Sequence, residues 1–208
     1  MAASFSIVPY SPAHRQGVID VCLRTGNAGD DATALYPTLP QLLGFRYVVP
    51  YLGQPGLAFV LTNDATGAVC GYTLAALDSK PFYAETLRAS LLASATGLEE
   101  EGGGTSLTDE EQAMLAEIKS PTVLLPAELY SLYPSHLHID IVAEGQGQGN
   151  GTRLMETILG ELRSQGSRGV HLEMHKDNAR AFGFYTKKLG FKQVLAEGEN
   201  LYLALALQ

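Results

Sequence analysis

The chain has 208 residues, 46% of them hydrophobic, two cysteines and a formal net charge of −8 at pH 7. That is enough apolar material for one sizeable core, while the acidic balance argues against nucleic-acid binding through a basic patch. Two cysteines make no disulfide framework, and no apolar run reaches the roughly 18 residues a bilayer span requires.

The first strand is expected at Phe5–Pro9, followed by a helix capped by Ser11 with Pro12 in its first position. Val18, Ile19, Val21, Cys22 and Leu23 supply its apolar face. Residues 24–56 are less regular, with a short helix expected around Leu39–Tyr47 between proline-bounded loops. Leu57–Thr62 and Val69–Leu77 read as a hairpin joined by the turn formers of Asn63–Gly67. Gly71 inside its second strand marks a bulge or a close backbone approach. Residues 80–134 then form a long excursion: a helix over Pro81–Ser94, an acidic, glycine-rich mobile loop at Glu99–Thr105, and a capping box, Thr108 with Glu111. The box opens a helix through Met114, Leu115 and Ile118, which Ser120 and Pro121 end, and Leu129–Tyr133 adds one more turn. Such insertions serve as lids or binding walls, or simply cover a sheet edge.

The most informative stretch follows. Leu137, Ile139 and Ile141 alternate with His138, Asp140 and Val142, the period-2 pattern of a strand. Gly145, Gly147, Gly149 and Gly151 come next, and Leu154, Met155, Ile158, Leu159 and Leu162 then recur at helical spacing over about Thr152–Gln165, as far as Gly166. Strand, glycine loop and helix start together make an anion site. Glycine lets a ligand approach the main chain closely, and the first helical amides lack internal partners and carry partial positive charge. No lysine follows the glycines as a P-loop requires, and the dinucleotide spacing of glycines is not met. Val170–His175 is the next strand, Asp177 or Asn178 caps a helix to about Lys188, and Phe191–Ala196 and Leu201–Leu207 close the chain as strands. His136, His138 and Asp140 share one face of the central strand. Histidine titrates in the range a general base needs, and Asp140 could be that base or orient a histidine; the plainer reading is a hydrogen-bond ladder. Glu173 and His175 on the neighbouring strand are weaker candidates. Alternation along one strand suits tetrahedral zinc poorly, so no metal is expected.

Gln146, Gly149 and Gly151, in the spacing Gln-x-x-Gly-x-Gly, are followed by Asn178, Ala181, Phe184 and Tyr185 and then by Gly190 and Phe191. These two motifs, in this order, resemble the signatures of the GCN5-related N-acetyltransferase (GNAT) superfamily, over about Leu137–Phe191. Tyr133–Asp140, Pro50–Gly53 and Leu57–Val60 also resemble the acetyltransferase-like domain of O-GlcNAcases, a subgroup that includes members suspected of inactivity. One departure stands out: Gly190 lies five positions after Tyr185 where the common motif has four, which predicts a bulge late in the helix. The resemblance implies an α/β fold, a mixed, mostly antiparallel, bent sheet of six to seven strands with helices on both faces and the 80–134 insertion between the third and fourth strands, in one domain over 1–208.

It also implies transfer of an acetyl group from acetyl-CoA to a primary amine by direct attack in a ternary complex. The amides of Gln148, Gly149, Asn150 and Gly151 would hold the pyrophosphate, with Gln146, Gly147 and Thr152 also binding the coenzyme. The main chain of Ile141, Val142 and Ala143 would pair with the pantetheine arm and offer an amide to the thioester. Asn178 and Phe184 would contact the arm, Tyr185 would be the general acid, and the base would lie among His136, His138 and Asp140. The acceptor is expected to be a small-molecule or lysine amine (a polyamine, an aminoglycoside or a lysine side chain), with neither nucleic acid nor membrane as partner. A monomer or homodimer is expected in the cytoplasm, with the nucleus left open. The alternative is a non-catalytic acetyl-CoA-binding sensor or interaction domain.

Overall fold

In the computed structural model, residues 3–102, 106–120 and 127–207 are described, apart from the side chains of 95–97, 99–102 and 127. Seven strands form one sheet in the order β1-β2-β3-β4-β5-β7-β6. They are β1 (Phe5–Pro9), β2 (Ala58–Asn63), β3 (Val69–Ala76), β4 (Ser135–Ile141), β5 (Gly169–His175), β6 (Lys192–Glu197) and β7 (Asn200–Ala206). All neighbours are antiparallel except β4 and β5, which run parallel and pair only at Ser135 with Val170 and His136 with His171. Beyond that short ladder the two strands part, and the sheet opens in its middle.

The helices are α1 (Arg15–Leu23), α2 (Leu42–Tyr47), α3 (Ser79–Pro81), α4 (Arg88–Gly102), α5 (Asp109–Lys119), α6 (Ala127–Leu132), α7 (Asn150–Ser164) and α8 (Ala179–Gly183). The alternation of β4 sends its side chains to two separate cores. Leu137 packs with Met155, Ile158 and Leu162 of α7 and with Leu172 and Leu203. Across the sheet, Tyr72 and Leu74 of β3 pack with Val18 and Cys22 of α1, Leu42 of α2, and Leu91 and Ile118 of the insertion.

Several local expectations are met, and some shift. The β2–β3 register slips between Leu61 and Thr62, beside Gly71, and a Cβ on Gly71 would lie 2.9 Å from the Asp140 carbonyl oxygen, so this glycine serves both a bulge and a close approach. The capping box holds: Thr108 Oγ1 accepts from Glu111 N–H at 3.1 Å, and Glu111 accepts from Thr108 N–H at 2.9 Å. Ser11 is the N-cap and Pro12 the first residue of a 3₁₀ turn, Pro12–His14, that leads into α1, and the Ser11 N–H donates to His14 Nδ1 at 3.0 Å. The helix expected over Pro81–Ser94 continues to Gly102 by way of a π-helical stretch, Phe82–Leu87, so Glu99–Gly102 is helical rather than loop. Residues 103–105 and Pro121 lie outside the described residues.

Candidate active site

The parting of β4 and β5 opens a cavity of about 1030 Å³. Its walls come from both strands, the loop after β4, the loop Ala28–Asp30 and α8. Of the expected site residues, Ile141, Gln146, Gly147, Gln148, Gly149, Gly151, Thr152, Asn178, Phe184, Tyr185, His136, His138 and Asp140 all line it.

The glycine loop is shaped for close approach. Gly147, Gln148 and Gly149 all take positive φ, at 78°, 47° and 78°. A left-handed glutamine is strained by roughly 1–2 kcal/mol, so the loop must be held from behind. Buried Asn150 does so, giving Nδ2 to the Gly145 carbonyl at 2.9 Å and accepting from Arg153 at 2.9 Å. Gln146 ties the loop to β4 by donating Nε2 to the Ile141 carbonyl at 2.7 Å, and Arg180 donates to its Oε1. Asn150 therefore braces the loop instead of lining the cavity. The Thr152 hydroxyl is buried and has no hydrogen-bond partner among the described residues. A Cβ on Gly151 would lie 3.2 Å from the Phe184 ring. Bare first-turn amides, an unpartnered hydroxyl and glycine-only spacing suit a phosphate group; Arg180, held on Gln146, supplies positive charge beside the loop.

The main chain before the loop differs from expectation at one point. Val142 turns into the core and donates its N–H to the Cys70 carbonyl at 3.0 Å. Its amide is committed to β3, and neither it nor Ala143 lines the cavity. Because N–H direction alternates along an antiparallel strand, Ile139 and Ile141 point theirs toward the gap. An amide offered to a thioester would come from these two, not from Val142.

On the sheet face toward α1 and α2 stand the three polar residues of β4. Burial, then the charges of His171 and His138, hold His136 well below the usual histidine range. Its ring is fully committed. Ser79 Oγ donates to the Pro134 carbonyl at 2.7 Å and so accepts from His136 Nδ1 at 2.7 Å, and Tyr51 donates to Nε2 at 2.8 Å. His136 is thus a satisfied core histidine with no nitrogen free for proton transfer. His138 differs. Its Nδ1 lies 3.3 Å from Asp140 Oδ2 and 3.1 Å from the Tyr72 hydroxyl, and Tyr72 donates to the same carboxylate oxygen. The ring stacks between Tyr47 and Tyr72, centroids at 6.0 and 5.7 Å. Nε2 makes no hydrogen bond among the described residues, so it can take a proton while Asp140 fixes the tautomer at Nδ1. Burial raises the Asp140 carboxyl; the charge of His138 and the Tyr72 hydroxyl pull it back.

Asn178 caps α8, accepting the Ala181 N–H at 2.9 Å, with Nδ2 packed against Gly29 across the cavity. The bulge expected after Tyr185 is a π-helical stretch, Phe184–Lys188, closed by the Phe191 N–H on the Tyr185 carbonyl at 3.0 Å. The Tyr185 ring packs on Phe184 and Phe191. Its hydroxyl makes no hydrogen bond among the described residues, and burial, reinforced by the charge of Asp140, raises it above the ordinary phenol range. It stays protonated, as a general acid must.

Tyr72, His171, Tyr47 and Tyr202 escaped the sequence reading. Tyr72 is the cross-strand partner of Asp140, which the sequence reveals only once the β3–β4 register is known across a long insertion. Outside the loop, His175, Asp177 and Glu199 bring ligand-type atoms within 4.8 Å of one another, but Lys176 already pairs with Glu199 at 2.8 Å.

Comparison with known proteins bears on the fold. The profile of the acetyltransferase (GNAT) family matches residues 127–191. The crystal structure of SsHAT is similar over 99% of each chain, with 35% identity and a TM-score of 0.85. Ard1 from Thermoplasma volcanium shares the fold at 16% identity, with a TM-score of 0.54 over 99% of this chain and 98% of that one. Protein O-GlcNAcase of Rattus norvegicus is 26% identical over 93% of this chain, which spans 21% of that relative's length.

Proposed function

This chain belongs to the acetyltransferase (GNAT) family, and on that footing we propose that it moves an acetyl group from acetyl-CoA to a primary amine by direct attack within a ternary complex. The observation that carries the reading is the meeting, in one cavity, of a braced anion loop, a His138–Asp140 pair and an unbonded Tyr185 hydroxyl.

Acetyl-CoA would supply an activated acyl group as its thioester. The amides of Gln148, Gly149, Gly151 and Thr152, with the Thr152 hydroxyl, would hold its pyrophosphate, and the gap edge of β4 its pantetheine arm. An amine is protonated at neutral pH, so it must lose a proton before it can attack. His138 accepts that proton at Nε2, directly or through water, while Asp140 and Tyr72 hold Nδ1. Tyr185 gives its proton to the departing sulfur. A proton-transfer pair standing in the same cavity as the anion loop favours catalysis over a sensor that binds the coenzyme without turnover.

The test pairs calorimetry with turnover. Acetyl-CoA should bind with a dissociation constant in the micromolar range, and His138→Asn should cut amine acetylation by roughly 10²–10⁴-fold while coenzyme affinity stays unchanged. Lack of acetyl-CoA binding would sink the proposal; binding without turnover on any amine would favour the sensor.

A further inference from the structure

The same cavity reaches a group of residues around His136 and His138 that the coenzyme reading leaves unused, and this part of it is the second chamber. Tyr47 of α2, Tyr83 and Met114 of the insertion, His171 and Glu173 of β5, and Tyr202 of β7 line it. The 80–134 excursion is therefore a wall of this chamber as well as a cover for the core.

Three features give the chamber a chemical character. The first is charge. The carboxylates that line it are Asp140 and Glu173, and its cation, Arg46, is already paired with Glu117 and lies 4.8 Å over the Tyr47 ring. Arg180 lies elsewhere, beside the glycine loop as the donor to Gln146, and Lys188, Asp30 and Asp177 also line the cavity. The second is an unmet hydrogen-bond acceptor. The Tyr133 carbonyl can only accept, so the proton of His171 sits on Nδ1, 2.8 Å away. That leaves Nε2 a bare lone pair, and it is buried, with no partner among the described residues, on a ring 2% exposed that lines the chamber. Burial holds His171 down to about 4, so the lone pair persists at neutral pH. The third is geometry. His171 and Glu173 share one face of β5, roughly 6–7 Å apart along the strand. The parallel register that pairs His136 with His171 sets Glu173 across the gap from His138. Asn200 donates to one Glu173 oxygen, which fixes the carboxylate in place.

We propose that this chamber selects acceptors carrying two amino groups, aliphatic diamines or polyamines: one amine reacts beside His138 and Asp140 while the second, as an ammonium, sits on Glu173 with an N–H for His171 Nε2. Tyrosine walls suit such a ligand, since aromatic faces attract cations and pack on methylenes. The inference rests on the acetyltransferase reading and makes that site specific.

The test compares 1,4-diaminobutane and spermidine with butylamine and with a blocked lysine peptide, in the presence of acetyl-CoA. Diamines should exceed butylamine in kcat/KM by roughly tenfold or more, the equivalent of about 1.4 kcal/mol. Glu173→Gln should erase that preference through the diamine KM, with Glu173→Asp restoring part of it. His171→Phe should lower the same ratio at unchanged coenzyme affinity. Equal rates for monoamine and diamine, a preference for the lysine peptide, or a preference that survives Glu173→Gln would each overturn the inference while leaving acetyl transfer standing. Absence of any transfer would fall on the acetyltransferase reading instead.

Discussion

Tyr185 and His138 hold their positions by opposite means. The tyrosine is packed by aromatic neighbours and leaves its hydroxyl unbonded. The histidine is held by hydrogen bonds on one nitrogen and leaves the other open. Removing the Tyr185 hydroxyl deletes a proton donor and little packing, so Tyr185→Phe should lower kcat by roughly 10²–10⁴-fold and leave the acetyl-CoA dissociation constant within about twofold. Steady-state kinetics beside calorimetry will separate the two, and equal losses in both would make Tyr185 a packing residue. His136 shows that the same side chain two positions away can be structural. Its neighbours satisfy both nitrogens, so it has no free site for a proton.

Two carboxylates of α5 fasten the insertion: Glu117, paired with Arg46 of α2, and Glu111. Fully buried Glu111 accepts N–H groups from Thr38 and Leu39 at 2.7 Å each, as well as from Thr108, and Thr108 Oγ1 donates to the Leu35 carbonyl. Burial pushes the carboxyl upward, but these donors outweigh it and leave it below the usual range. The capping box of α5 is thus also the latch that joins the insertion to the loop before α2. Glu111→Ala would leave two amides of residues 38 and 39 without their partner and remove the cap, costing about 3 kcal/mol. Urea unfolding should show this as a lower midpoint. Since α5 carries Met114 into the second chamber, acceptor KM should rise as well while acetyl-CoA affinity holds. A loss confined to coenzyme binding would contradict this division of labour.

At the scale of the whole molecule, stability should fall in mild acid. Burial depresses both His136 and His171, the latter to about 4. Unfolded histidines titrate near about 6.5. Between those values the unfolded chain binds protons that the folded chain refuses, so stability rises with pH across the window and drains away as pH falls below about 6.5. The loss attributable to His171 is on the order of 3 kcal/mol. Melting temperature measured from pH 7 down to pH 4 should therefore drop, and His171→Phe should flatten the curve; an unchanged profile in that variant would count against the burial argument. The sequence by itself determined the strands, the glycine loop and the tyrosine helix, because each rests on local periodicity, turn chemistry or spacing, while the bulge after Tyr185 followed from its departure from the family motif. It also identified His136, His138 and Asp140 as one face of one strand. Only the tertiary structure decided which histidine is free, since Ser79, Tyr51 and Tyr72 reach them from 57, 85 and 66 residues away. Likewise, only the parting of β4 from β5 turned a row of separate tyrosines and Glu173 into a chamber, because a cavity is made by where strands cease to pair, and nothing local encodes that.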